Sequence, residues 1–214
     1  MTPRSARPAV RSAPTLSGPV TFRPLDDATW PDLERLFGER GACAGCWCMA
    51  WRLSRAQWER QRGEQNKRAL RALVTAHEIL GVIAYSDGAP VGWCAIAPRE
   101  AYPTLERSRT LTRVDATPVW SVTCFFIAKH ARRQGLSRAL LEAAVEYAAA
   151  NGARVIEGYP VDPGKRWPDA FAWTGLVQVF RKAGFEEVAR RSPGRPIMRL
   201  TRTAGRTPAA GRRG

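Results

Sequence analysis

The chain has 214 residues and a formal net charge of +15, with 44% hydrophobic and 25% charged residues. That length suits one domain with a real core, and the composition is that of a soluble globular chain. No apolar run approaches the roughly 20 residues that a membrane helix needs, and the N-terminus has no apolar segment of the secretory kind, so a cytoplasmic protein is expected.

Residues 1–18 carry Arg4, Arg7 and Arg11 among Ala, Pro and Ser, with too few large apolar side chains to bury a core. They are predicted to be a disordered basic tail. Residues 202–214, with Arg202, Arg206, Arg212 and Arg213, are predicted to be another, leaving one domain over 19–201. So much of the charge sits in these tails that nucleic acid is not expected as the main partner. The positive charge that remains suits an anionic small ligand.

Val20–Leu25 reads as a first strand. Asp26 or Asp27 is placed to cap a helix over 29–37, which Gly38 and Gly41 end. A Cys-rich loop follows over 41–51. Ser54 is predicted to cap a helical segment that Gly63 divides. Ile79–Tyr85 and Pro90–Ala97, joined through Ser-Asp-Gly, form a strong hairpin pattern. Residues 98–117 are mixed and polar and read as a loop over one end of a sheet. Val119–Ile127 is an apolar strand. Beyond it, Leu136, Leu140, Leu141, Ala144, Val145 and Ala148 recur at helical spacing up to Asn151-Gly152. A strand over 154–159, a loop over 160–174, a short helix over 175–183 and a hairpin made of 185–190 and 196–200 complete the chain. Such an order predicts a mixed α/β sheet with helices on its faces, in which the helix-linked strands 119–127 and 154–159 are parallel.

Five cysteines, an odd number, argue for reduced thiols. Cys94 and Cys124 lie in apolar strands and read as small core residues. Cys43, Cys46 and Cys48 have C-x-x-C-x-C spacing, but a second Cys pair of zinc type is missing, so no metal is assigned.

The turn between the apolar strand and the long helix carries the chemistry. It reads Ile127-Ala-Lys-His-Ala-Arg-Arg-Gln-Gly-Leu-Ser137. The first turn of a helix leaves backbone N–H groups unpaired at the positive end of the helix dipole. Gly135 lets the backbone approach an anion closely, and Arg132 and Arg133 add full charges. The pattern predicts a diphosphate-bearing ligand.

Arg132-Arg-Gln-Gly135-Leu-Ser137 resembles the Gln/Arg-x-x-Gly-x-Gly/Ala signature of the GNAT superfamily of acyl-CoA-dependent N-acyltransferases, with Ser in the last place. Phe180-Arg-Lys-Ala-Gly184-Phe185 is similar to the superfamily's late helix ending in Gly-Phe, and the element order matches over roughly residues 20–201. Gly45-Cys-Trp-Cys-Met49, Val91-Gly-Trp93, Cys124-Phe-Phe126, Glu157-Gly-Tyr-Pro-Val-Asp162 and Arg195-Pro-Ile-Met-Arg199 also resemble one bacterial GNAT subgroup.

What the resemblance implies is a GNAT fold, a central twisted mixed sheet of about six to seven strands with helices on both faces. It implies acetyl-CoA as co-substrate and direct acetyl transfer to an amine in a ternary complex. Backbone groups of Ile127, Ala128 and Lys129 would pair with the pantetheine arm. N–H groups of Arg132, Arg133, Gln134, Gly135, Leu136, Ser137 and Arg138 would cradle the pyrophosphate. The enzyme must hold both reactants, take a proton from the amine and stabilise an oxyanion. Many members place a Tyr where this chain has Phe180, which is expected in the cofactor site but has no proton to give, so the substitute acid is Tyr159 or solvent. Glu157, on the same strand face as Tyr159, is expected to act through water as base, its alternative being an ion pair with an arginine. Asp162 is a second candidate base. Trp47, Cys48 and Trp51 are expected to wall the acceptor pocket, with Trp167 and Trp173 closing over it. The acceptor would be a small-molecule or peptide amine, and superfamily members are often homodimers. A non-catalytic acyl-CoA binding or sensing module on the same fold is the rival reading, motivated by Phe180.

Overall fold

A computed structural model describes residues 16, 18–162 and 173–202. Its strands are β1 (Val20–Pro24), β2 (Gly81–Ser86), β3 (Ala89–Pro98), β4 (Trp120–Ile127), β5 (Val155–Gly158), β6 (Glu186–Ala189) and β7 (Ile197–Thr201). They form one seven-stranded sheet in the order β1-β2-β3-β4-β5-β7-β6. Every neighbouring pair is antiparallel except β4 and β5, which are parallel. The mixed sheet, the β2–β3 hairpin and the parallel pair are those the sequence predicts. Its last hairpin also forms, but β7 rather than β6 lies against β5.

The helices are α1 (Trp30–Phe37), α2 (Arg55–Arg60), α3 (Glu64–Thr75), α4 (Pro103–Glu106), α5 (Leu136–Ala150) and α6 (Val177–Lys182). Ser54 caps α2 through a complete capping box with Gln57, as expected. At α1 the cap position is Thr29 rather than an aspartate. The Asp26 carboxylate accepts the Thr29 N–H at 2.9 Å, and so closes the turn before the helix instead of capping it. Residues 98–117 are less irregular than expected, because α4 and a short 3₁₀ turn at Arg99–Ala101 order them. No helix among the described residues is long and apolar enough to cross a membrane.

Alternation along the strands divides the core between two faces. On one face, all six apolar positions predicted for α5 are buried, packed with Val122, Phe125, Ile156 and Phe180. On the other, α1 and α3 bury Trp30, Leu33, Phe37, Leu70 and Val74 against Ile83, Tyr85 and Trp93. A smaller cluster of Tyr102, Leu105, Leu111, Tyr159 and Ile197 lies under the segment around α4. The middle of the sheet, where β4 leaves β5, is thus flanked by all three clusters.

Candidate active site

The parallel ladder is short. Only Trp120↔Ile156, Ser121↔Glu157 and Val122↔Gly158 pair, although β4 runs on to Ile127. Two local features end the pairing. Pro160 follows Tyr159 and has no N–H to continue a ladder. Gly158 is pressed against Phe180, where a Cβ would lie 2.0 Å from the ring. On the opposite edge of β4, the register with β3 skips Thr123. Residues 123–127 of β4 therefore extend past the fork without a β5 partner. An extended ligand arm could take that place and use the main-chain groups.

The fork opens toward the predicted anion turn. β4 ends at Ile127, and the Ala128 N–H donates to Val91 O at 2.9 Å. Lys129–Ala131 make a 3₁₀ turn. Arg132 is exposed, and its Nε–H donates to Ile127 O at 3.0 Å, so its charge is folded back over the turn. Arg133 is exposed and takes φ +63°. Gln134 spans the turn, accepting the Leu16 N–H at 2.6 Å and donating to His130 O at 2.9 Å. Gly135 then takes φ +79° at the start of α5, a conformation costly for any residue with a Cβ. A Cβ there would meet nothing within 4 Å, so the space in front of the helix is open. No side chain caps α5. Leu136 turns its side chain into the core, leaving its backbone on the turn, while Arg138 pairs with Glu142 at 2.8 Å. An uncapped 15-residue helix behind an open glycine, with two exposed arginines beside it, fits the pyrophosphate of coenzyme A.

Phe180, expected beside the cofactor, is fully buried. Its ring meets Phe125 edge-on at 6.1 Å and Phe185 at 5.0 Å. In this structure it fills the base of the fork on the α5 face.

On the opposite face, a buried polar cluster surrounds the base of the fork. Glu157 and Tyr159 point to the same face, as the strand periodicity predicts, and both are fully buried. The Tyr159 hydroxyl lies 2.8 Å from Ser121 Oγ, accepts from Arg99 Nη1 at 2.8 Å and donates to Glu157 Oε2 at 3.1 Å. Glu157 Oε1 accepts from Arg199 Nη2 at 2.7 Å, and Oε2 lies 3.5 Å from Arg99 Nη1. Arg199 reaches on to Asp115 at 2.6 Å. Arg99 also binds Glu106 at 2.5 Å and Leu111 O at 2.7 Å, which ties the α4 segment to the fork. The ion-pair alternative for Glu157 is therefore realised twice, with both carboxylate oxygens engaged. Burial, then the Glu157 charge, pushes the Tyr159 phenol well above its usual range, so it keeps its proton. Asp162 is not part of this cluster and pairs with Arg190 at 2.9 Å.

Arg99, Asp115 and Ser121 have no special signature in the sequence, and Arg199 closes a subgroup-like segment that gives it no role. The one available signal was Glu157 itself, because a carboxylate on an apolar strand requires a cation nearby.

The Cys-rich loop is assembled differently from expectation in one respect. Trp47 lies in the core rather than on an open surface. Its ring is buried against Trp30 at 6.0 Å and Phe37 at 5.4 Å, since the α1 face needs an aromatic to fill it. Cys48 and Trp51 stay half-buried, and Trp51 meets Trp173 at 5.8 Å. Trp167 lies outside the described residues. The loop backbone is strained. Ala42, Ala44, Trp47 and Cys48 all take positive φ, between 45° and 66°, and such residues cost of order 1–3 kcal/mol each. Cys48 Sγ accepts the Trp93 Nε1–H at 3.1 Å and lies 3.5 Å from Cys124 Sγ. Cys94 is buried as predicted, whereas Cys124 is half-buried on β4. Among the described residues, no group of three or more His, Cys, Asp or Glu is placed to hold a metal ion.

The sequence profile of the acetyltransferase (GNAT) family matches residues 47–163, which take in the end of the Cys-rich loop, the fork and the anion turn. No curated protein matches the chain in sequence. Among solved structures, an acetyltransferase of the GNAT family from Streptococcus agalactiae superposes with a TM-score of 0.53 at 12% identity, covering 86% of this chain and 96% of that one. The PaiA N-acetyltransferase from Thermoplasma acidophilum, solved in complex with coenzyme A, superposes with a TM-score of 0.51 at 14% identity, covering 86% of this chain and 100% of that one. At these identities the likeness is one of fold.

Proposed function

The chain belongs to the acetyltransferase (GNAT) family, whose members are acyl-CoA-dependent N-acyltransferases with acetyl-CoA as co-substrate, and on that premise we propose direct transfer of the acetyl group to the primary amine of a small-molecule or peptide acceptor. The observation that carries this reading is the fork. β4 continues past Val122, its last residue with a β5 partner, and delivers an edge without a β5 partner to the uncapped start of α5. Bound there, acetyl-CoA supplies the reactive acyl thioester.

In this reading, Ile127, Ala128 and Lys129 align the pantetheine arm, and the turn from Arg132 to Arg138 holds the pyrophosphate. Phe180 packs beneath the arm. Cys48, Trp51 and Trp173 face the acceptor, while Trp47 supports them from the core. Tyr159 is the first residue past the end of β5, next to the last paired position, which puts its phenol at the point of divergence. It retains its proton at neutral pH and is our candidate donor to the leaving thiolate. Glu157 receives the Tyr159 hydrogen bond and is our candidate proton acceptor. Arg199 must release one of its oxygens for that role. The Gly45–Met49 segment supports placement in the bacterial subgroup that shares it.

The test uses the purified full chain with acetyl-CoA and a broad panel of primary amines, following release of free thiol. Amine-dependent release that falls at least about tenfold in Tyr159→Phe, with coenzyme A affinity retained, supports the assignment. Tight coenzyme A binding with no transfer to any amine favours the sensing module instead.

A further inference from the structure

We propose that Cys48 and Cys124 are a peroxide-responsive thiol pair that closes to a reversible disulfide, tying the Cys-rich loop to the forked edge of β4. The two sulfurs come from segments 76 residues apart and already stand 3.5 Å from each other. A disulfide has an S–S length of about 2.05 Å, so closure requires roughly 1.5 Å of approach. Both side chains are half-buried, which leaves a route for a small oxidant. Trp93 donates its indole N–H to Cys48 Sγ at 3.1 Å and so holds that sulfur in place beside Cys124. Nearby thiols are held back: burial takes Cys46 up to about 11 and raises Cys94, while Cys124 is raised first by its hydrogen bond with Cys48 and then by burial. Cys48, which lies on the loop and receives the Trp93 N–H, is assigned as the attacking sulfur and Cys124 as the resolving one.

The chemistry balances with a hydroperoxide as the oxidant. The Cys48 thiolate attacks the O–O bond, which gives a sulfenic acid and releases hydroxide or alkoxide. The Cys124 thiol then attacks the sulfenic sulfur; the S–S bond forms, the S–O bond breaks and water leaves. Two electrons pass from the thiols to the peroxide, and an external dithiol returns them. The consequence for catalysis rests on our reading of the loop as the acceptor wall. A covalent tie at Cys124 fixes that wall against the strand beside the fork.

The full chain is treated with hydrogen peroxide, its free thiols are blocked, and the product is mapped by mass spectrometry. We expect the loss of two hydrogens and a Cys48–Cys124 cross-link. The link disappears in Cys48→Ser and in Cys124→Ser, persists in Cys43→Ser and Cys46→Ser, and reverses with dithiothreitol. Cys124→Ala replaces the serine variant if the latter melts early. Deuterium uptake over 41–53 falls about threefold or more when the link is closed. Cys48 oxidised to sulfinic acid with no link, or a link running through Cys43 or Cys46, overturns the proposal. A link that forms and leaves amine transfer unchanged upholds the thiol pair and overturns the acceptor-wall reading.

Discussion

The two sides of the fork are built from different materials. The proposed donor side is a single run of main chain from Ile127 to Arg138, which offers backbone groups at a strand end, a turn and a helix start. The other side is made of side chains. Arg99, Asp115, Ser121, Glu157, Tyr159 and Arg199 arrive from separate stretches of sequence and hold one another by charged hydrogen bonds. A backbone site tolerates most side-chain changes and fails when its dihedral angles are altered. A buried side-chain network does the reverse, since losing one partner strands the others in low dielectric.

Arg99→Ala is the most severe way to exploit that difference. It removes a cation that binds Glu157, Tyr159, Glu106 and Leu111 O from a fully buried position. We expect a loss of about 3–5 kcal/mol in urea unfolding. At temperatures where the variant remains folded, coenzyme A affinity should stay within about twofold, because no donor contact is touched. A variant that unfolds normally but loses coenzyme A would mean that the two sides are one unit.

Gly158→Ala acts on the fork itself. The new Cβ would lie 2.0 Å from the buried Phe180 ring, which would have to shift. Overpacking of this kind costs about 1–3 kcal/mol. Adding Phe180→Leu should return part of the loss, which thermal melts of the single and double variants will measure.

Gly135→Val tests the donor side. Its positive φ costs a β-branched residue about 1–2 kcal/mol, and the side chain projects into the open space before α5. We expect coenzyme A affinity to drop about tenfold by calorimetry, with little change in KM for the amine. Equal effects on both substrates would erase the distinction between the two sides.

The same contrast decides what can be read from the sequence. The strand-turn-helix of the donor side is local: apolar runs, Gly135 and the helical spacing up to Ala148 each act within a few residues, so their pattern survives in the linear chain. Arg99 has no such pattern. It follows a proline in a polar stretch and resembles any solvated loop arginine, and only its contacts with Glu157 and Tyr159, far along the sequence, make it a core residue. Trp47 misleads for the same reason. A Cys-Trp-Cys loop suggests a pocket wall, but tertiary packing buries the ring against Trp30 and Phe37. The insertion of β7 between β5 and β6 is likewise a choice of partner that hairpin spacing leaves open.

The smallest expected effect is electrostatic and belongs to the side-chain network alone. Tyr159 is raised well above the ordinary phenol value of about 10 by burial first and by Glu157 second. Below that ordinary value both folded and unfolded chains hold the proton, so the contribution of Tyr159 to stability is fully present. As pH rises past about 10, the unfolded chain releases the proton while the folded chain retains it, and stability falls until the folded value is reached. Tyr85 and Tyr102 are raised as well, so the alkaline slope of the native protein alone does not isolate Tyr159. The difference between native protein and Tyr159→Phe does. It should be about 1–2 kcal/mol near neutrality, from the lost hydrogen bonds to Ser121, Arg99 and Glu157. It should shrink between about pH 10 and 11 in unfolding curves. A difference that stays constant across that range would place the Tyr159 hydroxyl in contact with water. It would then lose both its strong retention of the proton and its place inside the network that sets the acceptor side apart from the donor turn.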